Sequence, residues 1–260
     1  MRPSAIKALY KIILRDARKL VAVPGFRLRE TPATEQWGQW VLLPRGHDQR
    51  KPSSFAPPDE RVRWLRLQKF LSPHGDNVDL VELVRMKFRE GAKITFAPAL
   101  SGRLDEMMWA IEEISHQRLL AESSSVTRTD DVVVEATGQY IPHPFDPSSH
   151  RFRYTYRIRV LNDGSVPIKI TGRHYIFDHG GKKREILPRH TPQVVGQTPT
   201  ILPGEIFEYA SGVDLENVTG SVRGCLHAIR FDADGQEVPF DAIVAPFSLQ
   251  PTVMEAMMLQ

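Results

Sequence analysis

The hydrophobic pattern changes period once along this chain, and that change constrains the fold more than any single motif. Up to about residue 122, apolar residues recur every three or four positions; from Val126 onward they alternate with polar ones. A period of 3.6 specifies amphipathic helices and a period of 2 specifies half-buried strands, so the two stretches need different architectures. Ser123-Ser124-Ser125 stands at the change and predicts a module boundary. The expectation is an α+β two-module chain: a helical domain over 1–122, an antiparallel β-sandwich over 126–250 and a tail at 251–260.

Three helices are predicted in the first module. Ile6, Leu9, Tyr10, Ile13, Leu14, Ala17 and Leu20 form one stripe, with Lys7, Lys11, Arg15, Arg18 and Lys19 around it and Pro24-Gly25 beyond the end. A basic, acid-poor amphipathic helix is also the pattern of a mitochondrial targeting segment; here it is read as retained and packed. A second helix, capped by Asp76 or Asn77, runs to about Glu90 with Gly91 as its stop, and a third carries Leu104, Met107, Met108, Ile111, Ile114 and Leu119. Each is too short to be stable alone, so the three should bundle.

Between the first two helices, residues 24–75 read as a long irregular insertion rich in proline, with a short helix over Arg61–Leu71. Trp37, Trp40 and Trp64, the last flanked by Arg63 with Arg66 two residues on, suit stacking on RNA bases, anchoring of a protein interface, or packing against the chain itself. Charge is uneven: the first 70 residues hold 15 Lys/Arg against 6 Asp/Glu, whereas residues 123–260 hold 13 against 16. A basic front implies an acidic partner, whether RNA, an anionic membrane surface or an acidic protein. No apolar run reaches the roughly 20 residues of a membrane-spanning helix.

In the second module Phe152, Tyr154, Tyr156, Ile158 and Val160 alternate with Arg153, Thr155, Arg157 and Arg159, which predicts a half-buried strand. Turn signals at Asn162-Asp163-Gly164, His179-Gly180-Gly181 and Asp234-Gly235 separate seven or more such strands, the pattern of a sandwich. Catalytic signals are weak. His174, Asp178, His179 and His190 could be assembled into a metal site only if His174 and His179 shared a face, which regular alternation forbids. Cys225, the single cysteine, excludes an internal disulfide and lies among apolar strand residues as a buried thiol; Ser211-Gly212 lacks a nucleophile elbow.

This stretch resembles the ApaG (DUF525) family. The residues that carry the resemblance are Phe152–Ile158, Thr171-Gly172-Arg173-His174-Tyr175-Ile176, Val194–Pro199, the run Leu202-Pro203-Gly204-Glu205 to Ser211-Gly212, and Pro246-Phe247-Ser248-Leu249. The resemblance implies a fibronectin-III-like or immunoglobulin-like sandwich that binds protein partners. Bacterial members carry a Gly-x-Gly-Val-Val-Gly loop; here it reads Thr191-Pro192-Gln193-Val194-Val195-Gly196, so only the last glycine remains. Pro192 lacks an amide donor and side chains stand where glycines would admit a phosphate, so pyrophosphate binding is not expected.

The first helix is similar to the start of LYR-motif proteins at Leu9-Tyr10-Lys11, and Arg85-Met86-Lys87-Phe88-Arg89 resembles that family's second-helix signature. The resemblance implies a three-helix bundle that clasps mitochondrial acyl carrier protein through Leu9, Tyr10, Lys11, Arg15, Arg85, Phe88 and Arg89. The carrier's acylated 4'-phosphopantetheine would enter between helices among Leu9, Ile13, Val84, Phe88 and Met108. The chain is therefore expected to be a non-catalytic adaptor of the mitochondrial matrix, with no intrinsic cofactor and no metal. Its host would be a large assembly: the mitochondrial ribosome first, with rRNA contact through Trp37, Trp40, Arg63, Trp64 and Arg66, and a respiratory-chain complex second. A nucleotide- or metal-dependent hydrolase built on the sandwich is the enzyme alternative.

Overall fold

The computed structural model describes residues 3–23, 37–46, 62, 79–142, 151–181, 183–232, 234–251 and 256. They fall into two compact units. One comprises 1–30 and 58–121; the other comprises 31–57 and 122–260.

The first unit holds helices α1 (Pro3–Val21), α2 (Leu80–Gly91) and α3 (Ala97–Glu122). Ile13, Ala17 and Leu20 of α1 meet Leu80, Leu83 and Val84 of α2 and Met107 and Ile114 of α3 in one apolar core. Asp79 caps α2, its Oδ1 accepting the Val81 amide at 2.8 Å. The expected caps Asp76 and Asn77 lie outside the described residues, as does the proposed helix at Arg61–Leu71 apart from Val62, which is helical. Helix α3 starts about two turns before its apolar pattern does, because Pro98 in a first turn loses no intrahelical bond. Asp16 lies inside this unit, 3% exposed, bonded by Arg15 Nε at 2.9 Å and by Arg118 Nη1 at 3.3 Å.

The second unit is an antiparallel two-sheet sandwich. One sheet has the order β1 (Trp40–Leu43), β8 (Ile206–Leu215), β4 (Phe152–Asn162), β3 (Val132–Tyr140), β2 (Ser124–Thr129). The other has the order β10 (Glu237–Leu249), β9 (Gly220–Phe231), β5 (Ile168–Asp178), β6 (Arg184–Pro192), with β7 (Thr200–Ile201) also paired to β5. Pro246 sits where the β9–β10 register shifts, a position that needs no ladder donor.

Two expectations change here. The residue pattern places the insertion at 24–75 in the helical domain, yet Trp40–Leu43 pairs with Ile206–Tyr209 as an edge strand of the sandwich. The four residues of this strand are too few to display a period. The arginines of β4 are also not all solvated: Arg157 and Arg159 are buried, and Arg159 is ion-paired with buried Glu208 on β8.

Tyr140, Tyr154, Tyr156, Tyr175 and Tyr209 lie in the sandwich core. The hydroxyls of Tyr175 on β5 and Tyr209 on β8 bond each other across the sheets, Tyr154 donates to the Val218 carbonyl, and Tyr156 bonds Ser211. Burial pushes Tyr156, Tyr175 and Tyr209 above the usual phenol range. A phenol whose pKa is raised on folding contributes stability that is complete below the unfolded value near 10 and lost above it. Alkaline unfolding should therefore steepen above about pH 10, by up to about 1.4 kcal/mol per pH unit for each tyrosine. Phenolate absorbance for these three should appear together with the loss of β circular dichroism. Ionisation that precedes unfolding would show the hydroxyls to be solvent-linked.

Candidate functional site

In the helical unit, the structure joins the two short motifs. The Tyr10 ring lies 4.6 Å from that of Phe88, so the aromatic of the first helix's triplet packs on the aromatic of the second helix's signature. Leu9, Tyr10 and Phe88 all pack against the helical core. Beside them is a cavity of about 380 Å³ lined by residues including Ile6, Ile13, Val84, Phe88, Leu104 and Met107. Three of the five expected lining residues are present. Leu9 is absent from the lining, and Met108 is 51% exposed on the far side of α3, where the helical rotation from Met107 carries it.

The expected cations split into two kinds. Lys11 is exposed on α1, in line with Lys7 and Arg15 at four-residue spacing, a cationic stripe facing away from the core. Arg15 is tied to buried Asp16. On α2, Arg85 and Arg89 both reach Glu82, at 3.4 and 3.5 Å, so that three-residue group presents one net positive charge. Lys87 and Arg103 line the cavity, and both pair with Glu90.

In the sandwich, Trp37 and Trp40 are 39% and 44% exposed. Trp37 lies against Gly212 of β8 with the Arg153 guanidinium over its ring, 5.1 Å from the centroid, and the Trp40 ring lies 6.2 Å from that of buried Phe207. Arg63, Trp64 and Arg66 lie outside the described residues.

In the loop that replaces the glycine-rich segment, the amides of Gln193, Val194 and Gln197 are engaged. The Gln193 amide bonds the Thr171 carbonyl at 2.9 Å, while Val194 and Gln197 exchange both backbone bonds at 2.8 and 2.9 Å. His190, Gln193 and Val195 are left-handed, at φ 61, 63 and 45°. Gln193 thus holds a conformation suited to the glycine that bacterial members have there.

A cluster that the residue pattern did not reveal lies on the outer face of β9 and β10: Cys225, His227 and Asp241, whose ligand-type atoms all lie within 4.8 Å. Its chemistry is decided by its hydrogen bonds. His227 Nε2 accepts the His190 amide at 3.1 Å, so the ring proton sits on Nδ1, directed at Asp241 Oδ1 2.6 Å away. Burial and the Asp241 carboxylate push the Cys225 thiol up to about 11. A thiol held protonated and an imidazole whose facing nitrogen carries a proton do not form a ready metal pocket. The cluster instead fastens β6 to β9, with the His190 ring stacked on His227. His174, Asp178, His179 and His190 bind separate partners: His174 the Leu187 carbonyl, Asp178 Arg184, His179 the Glu216 amide, and His190 the His227 ring.

The model of the family described as DUF525, ApaG domain, matches residues 142–230, from just before β4 through all but the end of β9. Protein ApaG of Bordetella pertussis is 34% identical over 119 residues, which cover 46% of this chain and 86% of the relative. The chain belongs to the ApaG family. Protein ApaG of Anaeromyxobacter dehalogenans is 39% identical over 128 residues, covering 49% of this chain and 94% of the relative. The crystal structure of the Bordetella pertussis ApaA protein shares 34% identity, covers 47% of this chain and 95% of its own, and has a TM-score of 0.43. These ApaG proteins are of sandwich size, so the helical unit is an addition to the family's core. Gly212, Arg153 and Asp214 fall inside the ApaG match, whereas Trp37 and β1 lie upstream of it.

The ApaG loop offers a direct check. Replacing Gln193 with glycine removes the left-handed penalty and should raise stability by roughly 0.5–1 kcal/mol in urea unfolding. An unchanged or lower midpoint would mean that the side chain stabilises the turn.

Proposed function

We propose that this ApaG-family protein is a non-catalytic adaptor of the mitochondrial matrix. Its helical unit docks acyl carrier protein, and its sandwich attaches to a large assembly, with the mitochondrial ribosome favoured over a respiratory-chain complex. One observation carries the reading: a mainly apolar cavity between the three helices, in a unit whose first helix presents a stripe of cations. A pocket of this size suits an apolar chain, and the cations suit an acidic carrier, which they would steer and orient. The packing of Tyr10 on Phe88 supports the resemblance of these helices to LYR-motif proteins. The engaged backbone donors of Gln193, Val194 and Gln197 and the protonated Cys225 leave the hydrolase alternative without a built site.

The structure also selects the charge reversals that test this role. Arg15→Glu would place a carboxylate beside buried Asp16 and unsettle the fold, so it is a poor probe. Lys11→Glu with Arg89→Glu changes exposed positions only. Each lost rim contact is worth about 0.2–1 kcal/mol, and facing like charges add a penalty of several kcal/mol. The double variant should melt as the wild type does and lose co-purified carrier protein. Recovery of the carrier at wild-type yield would leave the stripe as solvated surface. Mass spectrometry of what accompanies the intact protein from mitochondria separates ribosomal from respiratory hosts.

A further inference from the structure

We propose that the outer edge of β8 is a seat for an extended, tryptophan-bearing peptide, and that residues 37–43 of this chain fill that seat in cis. The inference stands apart from the role of the helical unit. Three features make the edge a recognition site. The backbone of 38–43 docks by strand addition: the Gly38 amide donates to the Ala210 carbonyl at 2.9 Å, the Ala210 amide donates to the Gln39 carbonyl at 3.0 Å, and Trp40–Leu43 continue antiparallel to Ile206–Tyr209. Strand addition supplies affinity from main-chain bonds and specificity from side-chain pockets.

The pocket is the second feature. Trp37 rests where Gly212 has no side chain, since a Cβ at 212 would lie 2.0 Å from the indole. The Arg153 guanidinium also lies over the ring, 5.1 Å from its centroid, and is itself held by a two-point bond to Asp214, at 2.9 and 3.1 Å. Floor, lid and lid support all come from the ApaG-matched strands β4 and β8, and only the indole comes from outside them. The third feature is covering length. Only four residues of β1 make the strand, and Trp40 and Leu42 remain 44% and 39% exposed, so the seat is held by a short segment that a competing strand can replace.

The test uses the full chain and a labelled synthetic peptide spanning residues 36–46. Trp37→Ala with Trp40→Ala weakens the resident strand, and this variant should bind the peptide at least tenfold more tightly than wild type by fluorescence anisotropy. Adding Gly212→Ala should fill the slot and abolish that gain, as should a peptide with alanine in place of its first tryptophan. Equal binding to wild type and double variant, no binding to either, or indifference to Gly212→Ala would overturn the proposal. Because the double variant could lose stability, Gly212→Ala alone provides a second reading. It should expel Trp37 and speed amide exchange over 38–43 at least tenfold, with β9 unchanged; unaltered protection of 38–43 would overturn the proposal too.

Discussion

The hydroxyls of Tyr175 and Tyr209 meet in the middle of the sandwich, one from each sheet, and much of the unit's geometry is set by that meeting. A buried hydroxyl without a partner is expensive, so each tyrosine must reach the other, which limits how far the sheets can slide or separate. Tyr209 also lies opposite Ile158 on β4 and Trp40 on β1, so holding Tyr209 holds the register of β8 on both sides. Gly212, three residues further along β8, is thereby set beneath Trp37. The indole slot is a consequence of a core hydrogen bond.

The helical unit solves a different problem with charge. Asp16 sits on the inward side of a helix whose other charged residues are all basic, and there it accepts hydrogen bonds from Arg15 of its own helix and from Arg118 of α3. A buried carboxylate that binds two guanidinium groups links α1 to α3, and removing either partner would leave the carboxylate less compensated. The same arrangement divides the basic residues of α1 into one that holds the fold and others, such as Lys11, that face outward. The ApaG unit shows the parallel economy in its loops. Backbone amides at 193, 194 and 197 and both nitrogens of His227 are engaged by protein groups.

Much of this was legible from periodicity. The strand around Tyr154–Val160 and the helix through Ile13, Ala17 and Leu20 repeat long enough for their apolar faces to be counted, and both faces are buried. The ApaG resemblance was legible because the run from Leu202 to Gly212 combines a turn with a strand that has little freedom to vary. Other features left no local trace. Trp40–Leu43 is shorter than any usable window. Cys225 and His227 are two residues apart, but Asp241 joins them only through the β9–β10 register, which depends on where the hairpin turns. Met107 and Met108 differ by one residue and by a third of a helical turn, and only the packed bundle shows which one faces the cavity.

The two kinds of structure, their order and the ApaG character of the second are written in the residue pattern alone. Those follow from local repetition, and local repetition is readable without knowing what lies nearby. Packing in three dimensions settles which unit owns Trp40–Leu43, where the tyrosine hydroxyls find partners, and which polar atoms are already engaged. Strand pairing and hydrogen-bond saturation join residues far apart in the chain, as Trp37 is from Gly212 and His190 from His227. Their energy depends on contact geometry that no local pattern encodes.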